Sequence, residues 1–185
     1  MTIIAVYGVS GSGKSYIVRN TKNKKIIIKD TDDFYFQSMK DSLAEDRPFT
    51  NVYSDVRVRK YMKEFIKKHS KKTIVFAGVW DVPDATQEYF IKIPKKDLPL
   101  SYRRFMKREL EKIIENKQVI IRSIEKTQLS KLNMDVFAQT QLVSPFNDSN
   151  YQTYVNDYHR SLDDNESMGV NILSQAQIMD KLEKI

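Results

Sequence analysis

Gly8-Val9-Ser10-Gly11-Ser12-Gly13-Lys14-Ser15 is the stretch on which the fold of this chain turns. It follows Ile3-Ile4-Ala5-Val6-Tyr7, a short apolar run of the kind that forms a buried parallel strand, and it opens a helix expected from about Lys14. Glycines at 8, 11 and 13 let the backbone turn tightly, so that successive N–H groups point at phosphate oxygens, and the positive end of the helix dipole adds to the attraction. The spacing leaves Lys14 to reach the β- and γ-phosphates of a nucleotide, and the Ser15 hydroxyl to complete the shell of a Mg²⁺ that bridges them. A chance glycine-rich turn is a poor account, because 3 of the 5 glycines fall inside this octet. ATP or GTP with Mg²⁺ is therefore expected, bound by Gly8, Ser10, Gly11, Ser12, Gly13, Lys14 and Ser15.

Outward from the octet, Ile26 to Ile28, Thr73 to Ala77, Tyr89 to Ile93 and Val170 to Leu173 repeat the pattern of short β-branched or aromatic runs. Between them lie segments of helical spacing: Val58, Tyr61, Met62, Phe65 and Ile66 behind a cap at Ser54 or Asp55, then Phe105, Met106, Leu110, Ile113 and Ile114. Tyr151, Tyr154, Val155, Tyr158 and Leu162 form a further apolar stripe, read as core, and Ala176, Met179 and Leu182 form the last. Strands alternating with helices predict an α/β fold: one three-layer P-loop NTPase domain over residues 1–185, with a central, mostly parallel five-stranded sheet. Val119-Ile120-Ile121 reads equally as strand or helix interior, which leaves 119–143 open, and Asp163-Asp164-Asn165-Glu166 reads as a polar loop.

A chain of 185 residues, 41% of them apolar, is long enough to bury a proper core. No apolar run has the length of a membrane span, and Met1 leads directly into the first strand, so a soluble, cytoplasmic protein is expected. With 0 cysteines there are no disulfides or thiolate metal sites, and 2 histidines argue against zinc. The net charge of +7 favours polyanions. Its lysines gather at Lys22, Lys24, Lys25 and at Lys67, Lys68, Lys71, Lys72, each time where a helix hands over to a strand, which reads as solvated turns.

What receives the phosphate is read from Asp30-Thr31-Asp32-Asp33-Phe34-Tyr35, whose carboxylates emerge at the carboxyl edge of the sheet, where ligands of such folds bind. Thr31-Asp32-Asp33-Phe34-Tyr35 resembles the Gln-Asp-Asp-Phe-Phe or Gln-Asp-Ser-Phe-Tyr segment of uridine kinases and nicotinamide riboside kinases. The resemblance implies that Asp32 accepts the proton of the attacking hydroxyl, a role that suits a carboxylate beside a weak nucleophile. Asp30 and Asp33 are then bystanders or outer ligands of the magnesium. Tyr102-Arg103-Arg104-Phe105-Met106-Lys107-Arg108-Glu109 is similar to the Arg-rich lid helix of the same kinases, in a lid region of about 98–116, and implies that Arg104 and Arg108 offset charge on the transferring group. The spacing departs by one residue from the usual Arg-Arg-x-x-Arg-Asp. Those kinases carry Phe-Glu-Gly where this chain has Phe76-Ala77-Gly78, so either the magnesium-side carboxylate has moved to Asp81 or the acceptor differs from a riboside. Arg57 and Arg59 would suit an acceptor that already bears phosphate, as in nucleoside monophosphate kinases.

These readings combine into a kinase moving the γ-phosphoryl group of ATP to a small acceptor of the nucleoside or nucleotide class. Adenylate-, gluconate- and shikimate-kinase-like enzymes share the same cradle and lid. An ATPase or switch without an acceptor is the rival; against it, the chain has no Asn-Lys-x-Asp signature and no strand ending in Asp-Glu or Asp-x-x-Gly. A polynucleotide 5′-kinase draws on the basic charge and on Tyr53 and Tyr61 near arginines.

Overall fold

The computed structural model describes residues 1–44, 51–78, 80–108, 111 and 151–185. The strands β1 (Ile3–Tyr7), β2 (Ile26–Asp30), β3 (Thr73–Gly78), β4 (Gln87–Lys92) and β5 (Asn171–Ser174) form one sheet in the order β2-β3-β1-β4-β5. Every neighbouring pair is parallel. The helices are α1 (Lys14–Asn20), α2 (Asp32–Ala44), α3 (Asn51–Lys68), α4 at 98–108, entered through a 3₁₀ turn at Lys95–Asp97, α5 (Tyr151–Ser167) and α6 (Gln175–Glu183). Among the described residues no helix is long and apolar enough to cross a membrane.

Parallel strands are buried on both faces, and side chains alternate along each strand, so β1 feeds two layers at once. Ile4 and Val6 join Ile17 of α1 and Ile178 and Leu182 of α6 on one face. Ile3 and Ala5 join Phe34 of α2 and Val58, Met62 and Ile66 of α3 on the other. A third cluster seats Leu98 of α4 and Tyr154 and Tyr158 of α5 against Phe90 and Val170. The expected three-layer α/β architecture is what these clusters build.

Several local expectations change. Asp163-Asp164-Asn165-Glu166 is not a loop but the last turns of α5, which runs on to Ser167. Its stop is Gly169 at φ 75: the Gly169 N–H bonds to the Glu166 carbonyl and the Val170 N–H to the Asn165 carbonyl, both at 3.0 Å, a left-handed glycine cap that closes the helix after its polar face. Ser54 and Asp55 lie inside α3, which already begins at Asn51. β4 starts at Gln87 and ends at Lys92, two residues earlier and one earlier than the apolar run. The acids at Asp32 and Asp33 open α2, a helix the apolar periodicity does not announce. Leu110, Ile113, Ile114 and 119–143 lie outside the described residues.

Candidate active site

The register sets the edge on which chemistry can occur. Val6 stands opposite Ala77, and Ala77 opposite Asp30, so β1, β3 and β2 end nearly level, and the octet and Asp30 leave the sheet side by side. The lysine clusters precede β2 and β3 in the chain and therefore stand at the opposite, amino edge, away from the octet.

The octet is a tight turn in which the Ser12 N–H bonds to the Val9 carbonyl at 3.1 Å. Gly11 (φ 84) and Gly13 (φ 104) are left-handed, which L side chains rarely adopt. A Cβ at Gly11 would lie 2.3 Å from the Ser101 carbonyl oxygen on α4, and one at Gly13 would lie 2.8 Å from Gln175 Nε2 on α6. The loop is thus wedged between the helices that follow β4 and β5. Lys14 is 6% exposed, and its ammonium donates to the carbonyls of Gly8 and, at 3.0 Å, of Val9. From α5, the Tyr154 hydroxyl donates to the Ser10 carbonyl at 2.9 Å and lies 2.6 Å from Ser101 Oγ, so a residue read as core also holds the loop.

A cleft of about 900 Å³ opens beside this turn, with Gly11, Gly13, Lys14 and Ser15 on one wall, Asp30, Asp32 and Asp33 on another, and Arg104 and Arg108 above. Asp32 begins α2, and its backbone N–H donates to Asp30 Oδ1 at 3.0 Å, which ties the Asp30 carboxylate to the start of that helix. Arg108 donates to Asp32 Oδ2, joining α4 to α2 across the cleft. Burial, the largest influence, pushes the Asp30 carboxyl above the usual carboxylate range, against the hydrogen bond from the Asp32 N–H, and the nearby Asp32 charge adds to the rise. Burial and then the Asp32 charge likewise raise the Tyr35 phenol.

Of the sequence-derived site residues, Lys14, Ser15, Asp32, Arg104 and Arg108 share this cleft, and Gly11 and Gly13 shape its floor. Asp81 does not join them: it is exposed, and its carboxylate pairs with Arg59 beyond the cleft lining. Arg59 likewise does not line the cleft. Gln175, Tyr16 and Phe36 line the cleft unannounced. Gln175 had a readable signal, since it follows a strand run at the ligand-binding edge; Tyr16 and Phe36 had none. The cleft that Ser15 lines also carries Asp30, Asp32 and Asp33, so it offers hydroxyl and carboxylate oxygens, hard donors that fit Mg²⁺. Among the described residues no group of three His, Cys, Asp or Glu could hold a metal unaided, so such an ion fits as one brought in on phosphate oxygens.

No protein-family model matches the chain, and no curated protein matches its sequence. Among solved structures it is similar to shikimate kinase from Bacteroides thetaiotaomicron, with a TM-score of 0.52 and 11% identity over 99% of this chain and 95% of that one. A sugar kinase from Janibacter sp. HTCC2649 aligns with a TM-score of 0.41 and 13% identity over 100% of this chain and 91% of that one. A gluconokinase from Sinorhizobium meliloti 1021 gives 0.36 and 16% over 58% and 65%. The first of these likenesses establishes that the chain has the P-loop kinase fold.

Proposed function

We propose that the protein is an ATP- and Mg²⁺-dependent phosphotransferase that moves the γ-phosphoryl group to a hydroxyl of a small acceptor of the nucleoside or nucleotide class. The observation that carries this reading is the convergence on one cleft of a phosphate loop, a carboxylate at Asp32 and two arginines of α4. The fold likeness to shikimate kinase supports a small acceptor, and the likeness of residues 31–35 to the uridine kinase segment supports the nucleoside class.

The acceptor oxygen, held by Asp32, forms its bond to the γ-phosphorus as the bond from phosphorus to the β–γ bridging oxygen breaks, and its proton passes to the Asp32 carboxylate while ADP leaves. Before this step Arg108 exchanges Asp32 for the phosphates, which frees the base, and Arg104 joins it in offsetting charge on the equatorial oxygens. Lys14 turns from the carbonyls of Gly8 and Val9 to the β- and γ-phosphates. Mg²⁺, held through Ser15 and the phosphates, supplies charge neutralisation at the leaving group.

The test is ADP release from ATP·Mg²⁺ across nucleosides, nucleoside monophosphates, sugars and 5′-hydroxyl oligonucleotides, with Lys14→Ala as the blank. Stimulation by one class of small acceptor is expected. Release that ignores every acceptor would make the protein an ATPase or switch instead.

A further inference from the structure

We propose that the acceptor is an uncharged alcohol bearing a flat ring, and that the ring lies on Phe36. This rests on the phosphotransferase reading and narrows it.

Phe36 stands four residues after Asp32 on α2, and both line the cleft. Positions i and i+4 share a helix face, separated along the axis by about 6 Å, close to the span between a primary hydroxyl and the ring of a compact nucleoside-like molecule. Core packing does not account for the phenyl group. Phe36 is 39% exposed, whereas Phe34 on the same helix is 7% exposed in the core, and Tyr35 stacks on Trp80 with ring centroids 5.6 Å apart. Tyr35 in turn meets Phe36 edge-on at 6.0 Å, which braces the Phe36 ring beside the cleft. An exposed aromatic one helical turn from a hydroxyl-orienting carboxylate is an acceptor platform.

Charge disfavours the anionic alternatives. Besides Asp32, the cleft is lined by the carboxylates of Asp30, Asp33 and Glu111. Of its described cations, Lys29 pairs with Asp33 at 2.5 Å and Arg108 with Asp32, while Arg19 and Arg104 line it as well. Arg59 pairs with Asp81 and does not line the cleft. A carboxylate or phosphate on the acceptor beside Asp32 would meet like charge from these carboxylates, and a neutral ring-bearing alcohol avoids that repulsion.

Steady-state ADP release tests this with matched probes: adenosine, guanosine, cytidine, uridine and thymidine, their 5′-monophosphates, and ribose, gluconate and shikimate, each with wild type, Phe36→Ala and Phe36→Tyr. The expected result is turnover of at least one nucleoside well above ribose, with Phe36→Ala raising its KM by roughly ten- to a hundredfold at nearly constant kcat and Phe36→Tyr restoring it. Preference for a monophosphate, gluconate or shikimate would overturn the proposed acceptor class. An unchanged KM in Phe36→Ala, or equal losses on nucleoside and ribose, would overturn the role of Phe36. Stimulation by no probe would instead bring down the phosphotransferase reading itself. Thermal melting of Phe36→Ala, expected within a few degrees of wild type for so exposed a side chain, separates loss of binding from loss of fold.

Discussion

Asp32 and Asp30 are two residues apart, yet the fold gives them different work. Asp32 opens α2, half-exposed at the cleft and paired with Arg108, whereas Asp30 ends β2 and is raised by burial. Asp32→Asn keeps the shape and removes the proposed base, so kcat is expected to fall by roughly 10²–10⁴-fold while ATP affinity, read by calorimetric titration, changes less than about threefold. Wild-type turnover in that variant would mean that Asp32 is not the base. For Asp30 the sign follows from its raised carboxyl: the fold disfavours the ionised form, so this group's contribution is most favourable below its ordinary value of 3.8 and is lost as pH rises through the folded value. Asp30→Asn should therefore melt higher than wild type near neutral pH, with the gap closing toward about pH 4. A gap independent of pH would show that Asp30 carries no ionisation penalty. At this scale the octet was legible because phosphate binding by backbone N–H groups needs glycines at fixed local spacing. The pairing of Asp81 with Arg59 of α3 could not be read from the sequence, because it is set by packing between distant segments.

Helix α5 shows what periodicity conveys and what it leaves out. Of the stripe Tyr151, Tyr154, Val155, Tyr158 and Leu162, Tyr154 and Tyr158 are buried at 7% and 2%, while Tyr151 at its start is 40% exposed. The pattern does not say what the phenols meet: Tyr158 accepts from the Ile93 N–H at 2.9 Å, while Tyr154 reaches the phosphate loop through the Ser10 carbonyl. Tyr154→Phe should cost about 0.5–1.5 kcal/mol of stability. It should also weaken nucleotide binding severalfold, because the loop loses its brace from α5. Chemical denaturation and ATP titration of the same variant would separate the two effects, and unchanged affinity would show that the loop holds its shape without Tyr154. The polar run at 163–166 stayed helical because α5 presents it to solvent, and a solvated helix face has the same composition as a loop.

For the whole molecule, a ligand that binds only the folded state stabilises it by mass action. ATP·Mg²⁺ at a hundredfold excess over Kd should add about 2.7 kcal/mol, a rise in Tm of roughly 5–10 °C for a chain of this size. Chelating the metal should remove most of that rise, and Lys14→Ala should show little of it at any nucleotide concentration. An equal rise in Lys14→Ala would place the nucleotide elsewhere than the octet.

The amino-acid sequence by itself determined the strand-turn-helix at Gly8 to Ser15, the five strand runs and hence the α/β class, because each depends on spacing within a few consecutive residues. It also marked Asp32, Arg104 and Arg108 one by one. Only the tertiary structure decided that Arg108 closes on Asp32, that Asp81 pairs with Arg59 outside the cleft lining, and that Phe36 faces the cleft while Phe34 enters the core. Those outcomes depend on which helix faces which across a sheet ordered β2-β3-β1-β4-β5, and such long-range neighbours leave no mark in local periodicity.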